Sequence, residues 1–435
     1  MPRPRVTVAA ALAAVLSIVA CGLPAPASPT AALPNLPGST STPTPPLLPS
    51  AAATLVAASP SAPSGGDVTP APTRSVPEPS DASHFREGED ITLTEIRMVT
   101  RTEGWGVAGA YVLKTEDGGQ TWREVTPPSP AARPETGKAY GTFLDLQNAW
   151  VVFSESDRIL PSAVIWNTVD GGSTWSEIEV TQEAFGDLMW AEFFALDPAR
   201  VWVIFRGVYV GAGTHFIASF LRTTDGGASW ESLPSDIGND YTGFVFADPE
   251  YGWLTWQTTG AYAAAPPEYA VTQDGGLSWE RATLPLPDDA PNLFEEYEYS
   301  ESYQPNLLTA RVARLLVSSF QYDYHPEGFV SYLYSTEDGG ESWETHALPS
   351  DVLASDVRMI FFDSETGLIL GRQIYRTEDA GRTWEHVKTV SWDGGFTFVD
   401  PLHGWAVARS GDAIALVKTI NGGATWVELH SLAAR

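Results

Sequence analysis

Seven acidic or amide side chains recur along the chain inside one eight-residue pattern, Thr-x-Asp-x-Gly-x-Ser/Thr-Trp. They are Asp117, Asp170, Asp225, Asp274, Asp338, Asp379 and Asn421. A carboxylate at a tight turn can bind a cation such as Ca²⁺, or it can accept hydrogen bonds from the backbone N–H groups of the turn itself. The accompanying glycines supply the positive φ that such a turn needs. The pattern, called the box below, therefore predicts a structural turn between two strands and no metal site.

A second group of candidate residues is both acidic and aromatic, as suits carbohydrate stacking, a basic peptide or a cation. Its members lie between the fourth and fifth boxes: Glu295, Glu296, Tyr297, Glu298, Tyr299, Glu301, Tyr303, Tyr322, Asp323 and Tyr324. The alternative for the segment up to Tyr303 is a solvated acidic loop whose tyrosines pack against the fold. Four further aromatic residues are expected around the mouth of a central channel: Tyr140, Trp190, Tyr241 and Trp392.

The elements that must position these residues are short strands. Runs rich in β-branched and aromatic residues flank every box, as in Tyr111–Thr115 before the first box and Trp122–Val125 at its end. A second motif, an Asp followed by Gly-Trp, is clearest at Asp248 to Trp253 and Asp400 to Trp405, and it predicts another hairpin. Each repeat then has four antiparallel strands, A to D, with the box in the C–D hairpin.

Repeats of this kind predict an all-β fold, a single seven-bladed β-propeller of four-stranded antiparallel blades from about residue 90 to 432. In the fifth blade, strands A and B are expected within Leu307–Phe320, which lacks the Gly-Trp signature. Because strands alternate in direction, the boxes share one face with the A–B turns. The B–C loops and the D–A crossovers lie on the opposite face, where we expect a ligand to bind.

The N-terminal region predicts export. Residues 1–20 combine Arg3 and Arg5 with an apolar stretch, as in a signal peptide. The stretch ends at Cys21, the only cysteine, in a context that resembles a bacterial lipobox. We therefore expect cleavage before Cys21, lipid attachment to it, and an extracytoplasmic, membrane-anchored protein of the cell envelope. Residues 21–85, dense in Pro, Ala, Ser and Thr, predict a disordered linker, and residues 86–435 form the propeller.

The boxes resemble the Asp box, or bacterial neuraminidase repeat. The repeat region is similar to the propellers of sialidases, xyloglucan-cleaving glycosidases, sortilin and the photosystem II assembly factor family. The tightly spaced Asp-Gly-Gly-x-Thr-Trp form, as at Asp117 to Trp122, and the Gly-Trp strand are most similar to the last group. The resemblance implies a fold and leaves the function open, because such blades serve both hydrolases and binding proteins.

The formal net charge of −29 excludes nucleic acid as a partner, because an acidic surface repels phosphate backbones. It also leaves the lipid anchor as the membrane contact. Sialidase chemistry needs a group of arginines, and nothing in the sequence groups Arg97, Arg206, Arg311 and Arg358. We predict no catalytic residue, metal or cofactor. The expected function is a monomeric binding or assembly scaffold with an envelope or membrane protein partner. A glycan-binding protein or glycoside hydrolase is the alternative.

Overall fold

The computed structural model describes most of the chain after residue 83. The described ranges are 84–128, 137–154, 162–181, 187–208, 216–234, 241–258, 266–297, 299–320, 329–352 and 357–434. The predicted signal peptide, Cys21 and linker lie outside these ranges, as do Glu298, Tyr322, Asp323 and Tyr324. No helix within the described ranges is long and apolar enough to cross a membrane.

The described residues form an all-β, seven-bladed propeller whose blades are antiparallel, so the predicted fold class is confirmed. In blade 1, strands A to D are Glu95–Met98, Gly104–Ala108, Tyr111–Thr115 and Thr121–Glu124. In blade 2 they are Lys138–Phe143, Ala149–Ser154, Ser162–Thr168 and Ser176–Thr181. In blade 3 they are Asp187–Ala195, Val201–Val208, Phe216–Thr223 and Glu231–Ser232. In blade 4 the four strands are Tyr241–Phe246, Gly252–Thr258, Glu268–Thr272 and Glu280–Thr283. In blade 6 they are Arg358–Phe361, Gly367–Leu370, Gln373–Thr377 and Glu385–Thr389. In blade 7 they are Asp393–Phe398, Gly404–Ser410, Ala413–Thr419 and Val427–Leu429.

Blade 5 corrects the strand assignment made from the sequence. Its strand A begins earlier, at Tyr299–Ser302, and is followed by the short strand Asn306–Leu307; strands B to D are Ala313–Phe320, Phe329–Thr336 and Glu344–Ala347. Strand A pairs with strand B of its own blade and also with Gln257 and Thr258 of blade 4. It has no apolar signature because it packs through small hydroxyl side chains, with Ser300 and Ser319 hydrogen-bonded at 2.9 Å.

The core lies between neighbouring blades. In five blades strand B has a Trp at its second position, preceded by Gly, Ala or Val, and its indole lies in an apolar cluster: Trp105, Trp150, Trp202, Trp253 and Trp405 are all essentially buried. The indole N–H of Trp202 donates to the carbonyl of Gly275 in the box of blade 4 at 2.9 Å, and that of Trp150 donates to Gly226 in the box of blade 3 at 3.2 Å. The second motif therefore connects each of these blades to the box of the next.

A short C-terminal strand, Leu432–Ala433, closes the ring. It runs parallel to strand D of blade 1 and makes that sheet five-stranded. The segment before blade 1 adds hydrogen bonds to the same strand, from the N–H of Gly88 to the carbonyl of Ala433 and from the N–H of Ala433 to the carbonyl of Glu89, at 2.9 and 2.8 Å. Both ends of the propeller are thus fixed at blade 1.

Candidate functional site

The box carboxylates lie in self-satisfied turns. In the first box, Asp117 Oδ1 accepts from the N–H of Thr121 at 2.9 Å, and Asp117 Oδ2 accepts from the Thr121 hydroxyl at 2.7 Å. The Thr115 hydroxyl donates to Asp117 Oδ1 and accepts from the N–H of Gly119, both at 2.9 Å. The same bonds recur around Asp170, Asp225, Asp274, Asp338 and Asp379. At Asn421, Oδ1 accepts from the N–H of Thr425 at 2.9 Å, whereas the side-chain amide donates to the Thr425 hydroxyl at 3.0 Å.

The hydrogen bonds stabilise the ionised form of these carboxylates. Donation from the Ser229 side chain and backbone holds the pKa of Asp225 at about 2, and Ser342 and Thr383 do the same for Asp338 and Asp379. The described residues contain no group of three His, Cys, Asp or Glu side chains arranged to hold a metal ion. The geometry of each box is that of a turn whose donors come from the turn itself.

The boxes share a face with the A–B turns, as predicted. In every blade the N–H of the fourth box residue donates to a carbonyl of the A–B turn of the same blade, as from Gly118 to Thr102 and from Gly226 to Ala199. Strand A runs towards this box face, so its first residues lie towards the opposite face. The expected binding residues near the strand starts are therefore on the face away from the boxes.

A common feature of the A–B turns fixes the level of each inner strand. One Asp or Thr per turn accepts two successive backbone N–H groups; these residues are Thr100, Asp145, Asp197, Asp248, Thr309, Asp363 and Asp400. Counting back five positions from each gives one ring of equivalent positions: Glu95, Tyr140, Glu192, Gly243, Gln304, Arg358 and Gly395. Gly243 and Gln304 touch across neighbouring blades, since a Cβ on Gly243 would lie 2.6 Å from Gln304 Cβ.

Trp190 and Tyr241 come together two positions further from the box face. Their rings are parallel within 6° with centroids 6.4 Å apart. The Arg206 guanidinium lies between them, 3.9 Å from the Tyr241 centroid and 5.1 Å from that of Trp190, which is a double cation–π contact. It also donates to the Tyr241 carbonyl. Trp190 remains 37% exposed, so the stack presents an aromatic edge to solvent.

Glu192 lies beside this stack with incomplete hydrogen bonding. Within the described ranges, Glu192 Oε2 and Arg206 Nε are buried and have no hydrogen-bond partner. Burial raises the pKa of Glu192 to about 7, against the lowering effect of Arg206, and burial also raises the pKa of Tyr241. The sequence did not single out Glu192 or Arg206 for this site, because the contact depends on a β-bulge between Arg206 and Gly207 and on a neighbouring blade.

A second charged group lies in the channel where blades 6, 7 and 1 meet. The side chains of Glu95, Arg97 and Arg358 are exposed to water, yet protein atoms around them desolvate their charges. Burial raises the pKa of Glu95 although Arg358 and Arg97 lower it, and burial followed by the charge of Arg358 lowers the pKa of Arg97. The expectation that nothing groups these arginines is therefore wrong for Arg97 and Arg358.

The other two predicted mouth residues, Tyr140 and Trp392, are not part of the Trp190 stack. Tyr140 occupies the ring position of blade 2 and packs partly against the apolar cluster between blades 2 and 3. Trp392 packs in the cluster of blades 6 and 7, with its ring 5.5 Å from Phe396 and 5.6 Å from Trp426. Trp392 therefore contributes to the core and is not part of the Trp190 stack.

The described residues of the acidic and aromatic segment up to Tyr303 include a one-turn helix and strand A of blade 5. Glu295 and Glu296 end the one-turn helix Leu293–Glu296, whose Leu293 and Phe294 are buried. Tyr297 packs partly on the same apolar cluster. Tyr299 and Glu301 lie in strand A of blade 5, and Tyr303, which follows, packs partly between blades 5 and 6.

A shallow groove of about 710 Å³ lies on the box face, away from all of these residues. Its walls are the box and A–B turn of blade 3 and the outer strands of blade 2, including Asp225, Ala199 and Glu177. The Gly226 carbonyl at the edge of the groove already accepts hydrogen bonds from the Trp150 indole and the Asn167 amide. The groove lies at the joint of blades 2 and 3, and we place the candidate site on the opposite face.

Comparison with known proteins gives distant likenesses. No protein-family model matches the chain. A xyloglucanase from Paenibacillus sp. is 26% identical over 173 residues, which is 36% of this chain and only 16% of that enzyme's length. Among solved structures, YCF48 bound to a D1 peptide is similar at 18% identity and a TM-score of 0.49, covering 80% of this chain and 98% of that one. The GH74 enzyme of Niastella koreensis has 12% identity and a TM-score of 0.36, with 79% and 62% covered. None of these likenesses carries a function over to this chain.

Proposed function

We propose that this protein is a lipid-anchored extracytoplasmic scaffold that binds an envelope or membrane protein on the propeller face opposite the boxes. The observation that supports this most is the stack of Trp190, Arg206 and Tyr241 on that side of blades 3 and 4. Aromatic and arginine side chains in a fixed arrangement are the residues that most often dominate the affinity of a protein interface. Anchorage at Cys21 and the linker of residues 21–85 are part of the proposal.

Trp190 is the anchor that a partner would meet first. It is 37% exposed, while the ring of Tyr241 and the guanidinium of Arg206 behind it hold its orientation. A pre-oriented aromatic ring loses little conformational entropy on binding, which favours affinity. The net charge of −29 adds long-range attraction for a partner with a basic surface.

The experiment is affinity capture from solubilised envelope with the full-length protein and two variants. Trp190→Ala removes the anchor, and Leu402→Ala removes an apolar side chain that is 44% exposed in the A–B turn of blade 7, on the box face. We expect one protein to be recovered stoichiometrically with the wild type and with Leu402→Ala, and to be lost with Trp190→Ala. Equal recovery with all three baits would reject Trp190 as the contact.

A glycan-binding function is the second candidate. The exposed ring of Trp190 can stack on a sugar, and the aligned segment of the xyloglucanase gives a reason to test xyloglucan first. A glycan array with the same variants separates the two proposals. Glycan binding that is lost in Trp190→Ala, with no protein captured, would favour the carbohydrate function, and turnover of the bound sugar would then be assayed.

A further inference from the structure

The channel wall formed by blades 6, 7 and 1 has an open space at one level. Arg358, Gly395 and Glu95 each precede their turn residues, Asp363, Asp400 and Thr100, by five positions, so they are level on three successive inner strands. A Cβ on Gly395 would meet nothing within 4 Å, whereas one on the preceding Gly394 would lie 2.7 Å from the Val407 carbonyl. The middle strand of the three therefore leaves a gap between two charged neighbours.

The charged groups beside this gap have unused hydrogen-bonding capacity. Within the described residues, the Arg97 guanidinium and the Glu95 carboxylate make no hydrogen bond or ion pair, and Arg358 makes one long bond, from Nη1 to the Phe396 carbonyl at 3.4 Å. All three side chains are reached by water. Two guanidinium groups inside a channel present several N–H donors in a fixed fork geometry and little to receive them.

The charge balance selects the class of ligand. Two arginines and one glutamate give the group a formal net charge of +1, in a protein whose total is −29. A monoanionic carboxylate matches that charge and the planar geometry of a guanidinium, with two parallel N–H···O bonds. A phosphate dianion would carry more negative charge than the net positive charge of the group, and it would lie close to the Glu95 carboxylate.

We propose that the space over Gly395, between Arg358 on one side and Glu95 and Arg97 on the other, is a binding site for a small carboxylate anion. The two arginines donate to the carboxylate oxygens, and Gly395 provides the room. The site lies on blades 6, 7 and 1, whereas the Trp190 stack lies on blades 3 and 4. An experiment can therefore reject one of the two proposals without affecting the other.

The test titrates the purified full-length protein with acetate at constant ionic strength and follows the line width of the acetate NMR signal, with inorganic phosphate as the comparison anion. We expect saturable acetate binding in the wild type and weaker binding of phosphate. Arg97→Gln and Arg358→Gln should each weaken acetate binding about tenfold, the effect of losing one charge-assisted hydrogen-bonded pair. Arg311→Gln, at a side chain that is 66% exposed in the A–B turn of blade 5 on the box face, is the matched control and should leave binding unchanged.

Gly395→Leu tests the site without removing a charge. Its backbone is not in the left-handed region, and a side chain at this position has space, so the variant should keep the melting temperature of the wild type. It should abolish acetate binding, because the leucine fills the gap. Acetate binding that survives in Gly395→Leu, or no saturable binding in the wild type, would overturn the proposal. Replacing acetate by an N-acetylated dipeptide with one free carboxylate then shows whether the site binds the carboxylate of a peptide or that of a free small acid.

Discussion

The indole N–H of Trp405 donates to the carbonyl of Gly118 at 2.9 Å, although 287 positions separate the two residues in the chain. Trp405 belongs to strand B of blade 7, and Gly118 belongs to the box of blade 1. The bond repeats, across the closing joint of the ring, the contact that Trp150 and Trp202 make between consecutive blades. In these three joints, the Trp of strand B and the box of the next blade are therefore two halves of one contact.

The joint can be tested by removing only the indole donor. Trp405→Phe keeps an aromatic ring and leaves the Gly118 carbonyl without its buried donor, so it should lower the free energy of unfolding by about 1–3 kcal/mol. The matched control is Trp253→Phe, because Trp253 Nε1 is buried without a partner among the described residues and Tyr269 donates to the next box at Gly340 in its place. Trp253→Phe should cost clearly less. Equal losses in chemical denaturation would show that the hydrogen bond contributes nothing specific.

The box carboxylates should matter for stability and leave binding unaffected. Asp117→Ala removes the acceptor of two backbone N–H groups and two hydroxyls and should cost about 1–2 kcal/mol of stability. Asp117→Asn should cost less, because Asn421 makes the same bond to the N–H of Thr425 at 2.9 Å in blade 7. Melting curves measure both variants. A loss of partner or acetate affinity at unchanged melting temperature would contradict a structural role.

The sixth box carries a strained backbone position. Ala380 has a φ of 65° where the other boxes have glycine, and it is the one non-glycine residue with positive φ among the described residues. The left-handed region costs a residue with a Cβ about 1–2 kcal/mol. Because glycine also gives the unfolded chain more conformational freedom, which offsets part of this gain, Ala380→Gly should stabilise the protein by about 0.5–1 kcal/mol. The reciprocal change Gly339→Ala, at a φ of 83° in blade 5, should destabilise it. An unchanged or lower melting temperature for Ala380→Gly would show that the turn carries no strain.

Glu192 should make stability depend on pH near neutrality. Its pKa of about 7 lies above that of the unfolded chain, so the folded state binds the proton more tightly. The contribution of Glu192 to the free energy of unfolding is then fully present below the pKa of the unfolded chain. It is lost as the pH rises through about 7, and the free energy of unfolding falls by on the order of 1–3 kcal/mol. The groups facing Glu192 are Arg206 of its own blade and Tyr241 of blade 4.

Chemical denaturation at pH 5 and pH 8 measures this effect. We expect Glu192→Gln to remove most of the difference between the two stabilities, because a glutamine cannot titrate. Glu428→Gln, at an exposed position in strand D of blade 7, should keep the wild-type difference. A pH dependence that persists in Glu192→Gln would assign it to other groups.

The repeats made the propeller predictable, because each blade is built from a local hairpin pattern that repeats in the sequence. Tyr299–Ser302 was missed as strand A of blade 5 because its buried serines carry no apolar signal and its partner Ser319 lies beyond a turn. For the site, the aromatic positions Trp190 and Tyr241 could be named from the sequence, but their stacking around Arg206 could not. That contact crosses two blades, and the grouping of Arg97 with Arg358 arises only when the ring closes.

The most direct test of the proposed function places a photo-crosslinking benzoyl-phenylalanine at position 190 of the full-length protein in living cells. The same residue at position 402, in the A–B turn of blade 7, controls for non-specific contact. We expect ultraviolet light to join one discrete protein to the chain through position 190, with no such product from position 402. Adducts of equal yield at both positions, or none from position 190, would contradict a partner site at Trp190.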